Sequence, residues 1–411
     1  MQSFFRPGGS YTGRQPYMYQ PSSLYRTLSL CAVAAVFAAQ AAAPPGLPGM
    51  PPVVNPSDIY SETRPGMFHP NVKNHVQRIY VPNAAANVVD VIDPKTFKIV
   101  ESFPVGREPQ HVTPSWDMKT LWVLADLQDT ITEIDPVTGK KGRTIRVADP
   151  YNMYYTPNGK HAIVVAERLK RLDFYDAQTM KLVQQVPVPC KGVDHMDFTA
   201  DGKQLIASCE FSGELVKVDV EQRKVLGVYK LPVEAHQADH GKNKKRMHHG
   251  GGMMPIESPS MPQDVKTSPD GKLFYVADMM ADGVHIIDPV KFTRVGFIAT
   301  GLGAHGLYPS RDSKYLYVSN RDAGTVSVVD FATNKIVKTW TIPGGGSPDM
   351  GGVSADGKIF WLSGRYHGEI YAIDTTDGHL ITRIKVHKGP HGLCVWPQPG
   401  RYSLGHTGNL R

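Results

Sequence analysis

Leu316-Tyr-Val-Ser-Asn-Arg-Asp-Ala-Gly-Thr-Val-Ser-Val-Val-Asp330 holds two short runs of alternating apolar residues around a Gly-containing turn. Alternation with a period of two marks a half-buried strand, so the stretch reads as a β-hairpin. Its second run, apolar and ending in aspartate, recurs at residues 88–93, 131–135, 172–176, 215–219, 284–288 and 370–374. The terminal aspartates of the seven copies lie 42, 41, 43, 69, 42 and 44 residues apart. A turn of Ser/Thr-x-Asp/Asn-Gly-Lys type opens at Thr156, Thr199, Ser268 and Ser354, with looser copies at Ser115 and Ser310. Asp-Gly and Asn-Gly supply the positive φ that tight hairpins need. A strand such as Leu273-Phe-Tyr-Val-Ala follows each turn, and another, such as Lys335-Ile-Val-Lys-Thr-Trp-Thr-Ile, precedes the next repeat.

Each unit is therefore four short antiparallel strands, and helical periodicity is nearly absent. Four strands in each 40–45-residue repeat is the pattern of propeller blades. Seven sets of second-to-fourth strands occur, starting near residues 78, 119, 160, 203, 272, 314 and 358. Seven innermost strands also occur, but the last, at 391–396, comes after the final full set. It is expected to complete the first blade, closing the ring and removing its open edges. The expected architecture is an all-β, seven-bladed propeller over residues 76–411. Residues 1–41 are read as a signal peptide with a long polar preface, and 42–75 as a Pro/Gly-rich lead-in.

These repeats resemble the YVTN-type propellers of exported bacterial proteins, on stretches such as Leu316-Tyr-Val-Ser-Asn followed by Thr325-Val-Ser-Val-Val-Asp. Such propellers are distantly similar to the haem d1 domain of cytochrome cd1 nitrite reductase. The resemblance covers about residues 76–396. It implies a fold and leaves function open, because these propellers serve as scaffolds, cofactor holders and enzymes. The d1 domains have eight blades, whereas this chain counts seven.

Of the 411 residues 41% are hydrophobic, enough for a sizeable core, and the net charge is +7 from 45 basic and 38 acidic residues. Arg6, Arg14 and Arg26 lie in the leader, so the mature chain carries about +4; neither a nucleic-acid nor a membrane partner is expected. Arg26, the apolar run at 28–39 and Ala39-Gln40-Ala41 fit an export signal. That run is shorter than the ~20 residues a membrane span needs. A soluble, periplasmic or secreted monomer is expected, without a transmembrane segment in the mature chain. Cys190, Cys209 and Cys394 survive cleavage, and no Cys-x-x-Cys-His exists to attach a c-type haem.

Inner strands and the loops after second strands converge on one channel mouth. The pairs opening the seven inner strands are Gln110-His111, Tyr151-Asn152, Asp194-His195, Gln263-Asp264, His305-Gly306, Asp349-Met350 and His391-Gly392. They either cap strand ends or line a ligand or metal site, since imidazole is the commonest metal ligand. The residues selected for ligand binding are His111, His195, His305, Asp349 and His391, with Arg321 and Arg365 as clamps for a carboxylate or phosphate. Cys190 and Cys209 fall on the mouth side of the same blade as His195. A disulfide, two free thiols or a thiolate–imidazole metal site are the alternatives there.

The 69-residue spacing locates an insertion at about 232–262 that overhangs the mouth. It carries His236, His240, Met247, His248, His249 and Met253 beside a run of lysines, donors that suit copper in an exported protein. The alternative is a mobile basic lid that binds nothing. No Ser-His-Asp set, phosphate loop or dinucleotide fingerprint can be assigned. Three functions follow: a scaffold binding a small molecule or partner protein at the mouth, a copper-binding protein or oxidoreductase, and a haem d1-type protein.

Overall fold

A computed structural model describes residues 42–232, 258–406 and 408–411. Over these residues the chain forms seven four-stranded antiparallel sheets, the blades of a propeller. In blade 1 the strand Cys394–Trp396 pairs antiparallel with Arg78–Asn83, so the end of the chain completes the blade that the first repeat began. Each blade's inner strand is buried along its length, whereas its outer strand is largely exposed, as Lys335–Thr341 illustrates. The core lies between blades. Trp361, for example, is fully buried among Ile79, Val81, Ile370 and Val395, at the seam of the last blade with the first.

The recurring motifs have local causes. In each Ser/Thr-x-Asp/Asn-Gly turn the hydroxyl donates to the carboxylate or amide oxygen two residues on, as from Thr156, Thr199, Ser268 and Ser354. Gly159, Gly202, Gly271 and Gly357 then take φ between 68° and 78°. The looser copies make the same turn with Met118 and Ser313 at φ 61° and 56°, which costs those residues some strain. The aspartates ending the third strands accept backbone N–H groups two or three residues on, so their work is to stop strands.

The face carrying these turns is covered by the two ends of the described chain. From the lead-in, Ile59 N–H donates to Pro269 O, Tyr60 Oη to Thr267 O and Arg64 to Arg311 O. From the C-terminal side, Ser403 N–H donates to Trp116 O, while Tyr155 N–H donates to Leu404 O and His406 N–H to Met153 O. Residues 403–406 thus run beside the inner strand of blade 3, inside the channel. Gly405 makes this approach feasible, because a Cβ there would overlap Met153 O. Arg411 is anchored in turn to Asp197 and Phe198 O.

Candidate functional site

Strand irregularities aim the channel residues. At the start of the inner strands of blades 4 to 7 the pairing register slips, between Val193 and Met196, Pro262 and Val265, Ala304 and Leu307, and Pro348 and Gly351. A bulge leaves backbone unpaired and turns side chains off the ladder. Serines of the second strands take up that backbone. Ser208 Oγ accepts from His195 N–H and donates to His195 O, Ser319 Oγ accepts from Gly306 N–H, and Ser363 Oγ donates to Met350 O. The serine of Leu316-Tyr-Val-Ser-Asn therefore has a role: it holds the bulge that points its neighbours at the axis. Asp264 and Tyr154 tie adjacent blades by accepting from Leu307 N–H and Met196 N–H.

Five histidines meet at the hub. The His111 ring centroid lies 5.4 Å from His195, 4.8 Å from His391 and 5.3 Å from His406, and His195 lies 4.7 Å from His406. His305 stands 5.9 Å from His391 and 6.5 Å from His195. All five are fully buried. Burial, reinforced by the neighbouring imidazoles, holds His111 and His406 well below the usual histidine range, and burial pushes His195 down to about 3. The rings of His111, His195 and His406 are thus neutral and carry lone pairs. Among the described residues neither nitrogen of His111 has a hydrogen-bond partner. Gly392 makes room for that ring, since a Cβ there would overlap it.

One side of the cluster is held by Asn152, whose amide lies 3.1 Å from His195 Nδ1 and 3.0 Å from His406 Nδ1. Tyr154 Oη is 3.2 Å from His195 Nδ1. His406 Nε2 faces Asp264 Oδ1 at 3.7 Å and His195 Nε2 faces Asp194 Oδ1 at 3.2 Å. Burial raises the Asp264 carboxyl to about 6, against the pull of Lys266 and two backbone N–H groups. On the other side Asp349 accepts from His391 Nδ1 at 2.6 Å, approaches His305 Nδ1 at 3.2 Å and pairs with the buried Arg321. Burial alone would raise Asp349, but Arg321, with His305 and Arg365, holds it below the usual carboxylate range.

The mouth above the hub sets buried carboxyl groups opposite a guanidinium. Burial, with the Glu210 charge, lifts Glu167 well above the usual range, and burial with Glu210 does the same to Asp194. Burial with Glu108 lifts Asp126 to about 8. Across the mouth the guanidinium of Arg365, a residue 6% exposed, makes one long bond of 3.4 Å to Gln110 among the described residues. Its guanidinium therefore has donors to spare for an anionic group.

His111, His195, His305, Asp349 and His391 come together at the hub, with Arg321 behind Asp349 and Arg365 at the rim. Cys190 and Cys209 are joined by a disulfide that staples the loop before Asp194 to the second strand of the same blade. Cys394 is a buried free thiol. His236, His240, Met247, His248, His249 and Met253 lie outside the described residues. His406 escaped the sequence reading because it follows the last repeat and no periodicity places it. Its only signal was a Gly-His-x-Gly segment too close to the end of the ring for another strand set. Among the described residues two groups of histidine and carboxylate come within metal-ligand reach: His195, Asp264 and His406, and an exposed hairpin with Asp374, Asp377 and His379. The carboxylates of the second are already used as turn caps.

Comparison with known proteins matches the sequence profile of the YNCE-like β-propeller to residues 34–177 and 254–399. The YncE protein of Salmonella typhi is 25% identical over 290 residues, covering 67% of this chain and 74% of that protein. Among solved structures, hydrazine synthase of Kuenenia stuttgartiensis superposes with a TM-score of 0.59 at 18% identity, over 74% of this chain and 94% of that one. The dihydro-haem d1 dehydrogenase NirN superposes with a TM-score of 0.54 at 14% identity, over 86% and 79%. At these identities the two structures speak to fold alone.

Proposed function

This chain belongs to the YNCE-like β-propeller family, and from that premise and the chemistry of its hub we propose that it is a binding protein holding a small ligand in its channel, entered from the mouth. One observation carries the reading: His111 is fully buried and, among the described residues, neither of its ring nitrogens has a partner. Buried polar atoms are almost always paired, and leaving one unpaired costs about 1–3 kcal/mol. Two on one ring, beside four more imidazoles, mark a place kept for something else. The opposite face is closed by the lead-in and the 403–411 segment, which leaves the mouth as the way in. The residues do not fit a haem d1 macrocycle. Imidazole rings with centroids 4.7–5.4 Å apart touch one another across the axis, and residues 403–406 fill the channel beneath them.

The protein is proposed to work after export, on the basis of the leader and of a disulfide suited to an oxidising compartment. Native mass spectrometry of the untagged protein recovered from periplasm tests both points. A mass beginning near residue 42, with an added non-covalent component that His111→Ala loses, is the expected result. A bare polypeptide mass, with no thermal shift from a panel of metal ions, anions and small metabolites, would refute ligand binding.

A further inference from the structure

We propose that the ligand at the hub is a single transition-metal ion of the copper or zinc class, held by His195, His406 and Asp264 with His111 as the fourth donor. This rests on the hub being a ligand site and names what it takes. His195, Asp264 and His406 each bring one ligand atom within 4.8 Å of the others, and all three are fully buried. A tetrahedral ion with bonds of about 2.0–2.2 Å needs its donors roughly 3.5 Å apart. The 3.7 Å between His406 Nε2 and Asp264 Oδ1 already meets that, and His195 completes the set within 4.8 Å of both. His111 has its ring centroid 5.3–5.4 Å from both other histidines and, among the described residues, no hydrogen-bond partner to give up.

The surroundings are those of a ligated imidazole. A metal-bound histidine offers one nitrogen to the ion and the other to a polar group that fixes its tautomer. Asn152 sits against the Nδ1 of both His195 and His406, at 3.1 and 3.0 Å. Asn152 Oδ1 accepts from Met153 N–H at 2.8 Å, so the amide is pinned to the backbone and fixes the position of both rings. Neutral imidazoles with one carboxylate form a borderline-soft donor set, which selects zinc and copper over calcium or magnesium. A positive ion also needs compensating charge in a buried site, which the Asp264 carboxylate gives directly as a ligand.

The arrangement has a structural consequence. His406 arrives on the segment that runs up the channel beside blade 3, whereas His111, His195 and Asp264 belong to blades 2, 4 and 5. One ion therefore ties that segment to three blades, and its binding free energy adds to the stability of the closed channel.

The test uses the full mature chain, stripped with a chelator and titrated separately with Cu²⁺ and Zn²⁺ by calorimetry and elemental analysis. The background is a variant with His236, His240, His248 and His249 replaced by Ala, so that only the hub is read. One equivalent of ion should bind, with a rise in melting temperature. His406→Gln and Asp264→Asn should each weaken it at least tenfold, and Asn152→Ala by ~10–100-fold, while His379→Gln leaves it unchanged. In the copper form, nitrogen hyperfine structure in the electron paramagnetic resonance spectrum should report two or three imidazoles. Near-UV circular dichroism of each metal-free variant verifies its fold, and a variant that fails is replaced by Asn152→Ala, whose loss of affinity serves the same purpose. Failure to bind either ion in this background overturns the proposal, as does binding indifferent to His406, Asp264 and Asn152. If the hub then still shows a non-metal mass by native spectrometry, only the identity of the ligand falls; if it shows none, the binding function falls with it.

Discussion

Breaking the Cys190–Cys209 disulfide should lower stability by about 3 kcal/mol. The two cysteines are 19 residues apart. In the chain-entropy account a cross-link closing a loop of that length removes roughly 11 cal/mol/K from the unfolded ensemble, or about 3 kcal/mol at 25 °C. Unfolding entropy of ~2.1 cal/mol/K per residue gives a chain of this size about 0.8 kcal/mol/K, so the melting temperature should fall by ~4 °C. The effect has a site, because the staple pins the loop that delivers Asp194 and His195, and its release should also loosen the hub. The assay is thermal and urea unfolding of the oxidised protein, of the same protein under reductant, and of Cys190→Ala/Cys209→Ala. Reduction keeps both sulfur atoms and isolates the cross-link. The double variant adds the loss of two buried side chains, so its midpoint should lie lower still. A reduced protein melting within about 1 °C of the oxidised one would refute the entropy argument. A double variant equal to the reduced protein would refute tight packing around the pair.

Three further outcomes are expected. Gly392→Ala puts a methyl group into the His111 ring and should destabilise by ~1–3 kcal/mol while abolishing ligand uptake; differential scanning calorimetry and native mass spectrometry read the two. Asp126 has its carboxyl raised to about 8 by burial first and then by Glu108, with Asp149 also raising it and Arg168 opposing. The folded protein therefore holds a proton that the unfolded chain loses above pH ~4. Its contribution to stability is complete below pH 4 and is lost as pH rises towards 8, by a few kcal/mol at most; Asp126→Asn should flatten that slope in urea melts, and an unchanged slope would sink the assignment. Arg411→Ala leaves Asp197, 3% exposed, without its 3.1 Å ion-pair partner. It should cost about 3–5 kcal/mol and expose residues 397–411 to trypsin, seen as early cleavage at Arg401.

The channel residues at the starts of inner strands were legible because a repeat carries position with it. Once Thr156, Thr199, Ser268 and Ser354 are aligned, His195 and Asp264 fall on one rung and Asp349 on the adjacent one, and the bulges turn both rungs inward. The serines 208, 319 and 363 were visible as part of the motif but mute about their purpose, since a hydroxyl bonding a displaced backbone is a matter of register. His406 could not be placed at all. It belongs to no repeat, and only the path of 403–406 along blade 3 brings it against His111 and His195.

By itself the sequence determined the number of blades, their strand order, the closure by residues 394–396 and which positions face the axis. These follow from periodicity and turn chemistry, which are local and add up along the chain. Tertiary structure alone decided that the lead-in and the last residues close one face, that five histidines become buried neighbours, and that His111 has no hydrogen-bond partner among the described residues. Those properties depend on distances between groups up to three hundred residues apart in sequence, and on water being excluded from the space between them; neither is written in any one repeat.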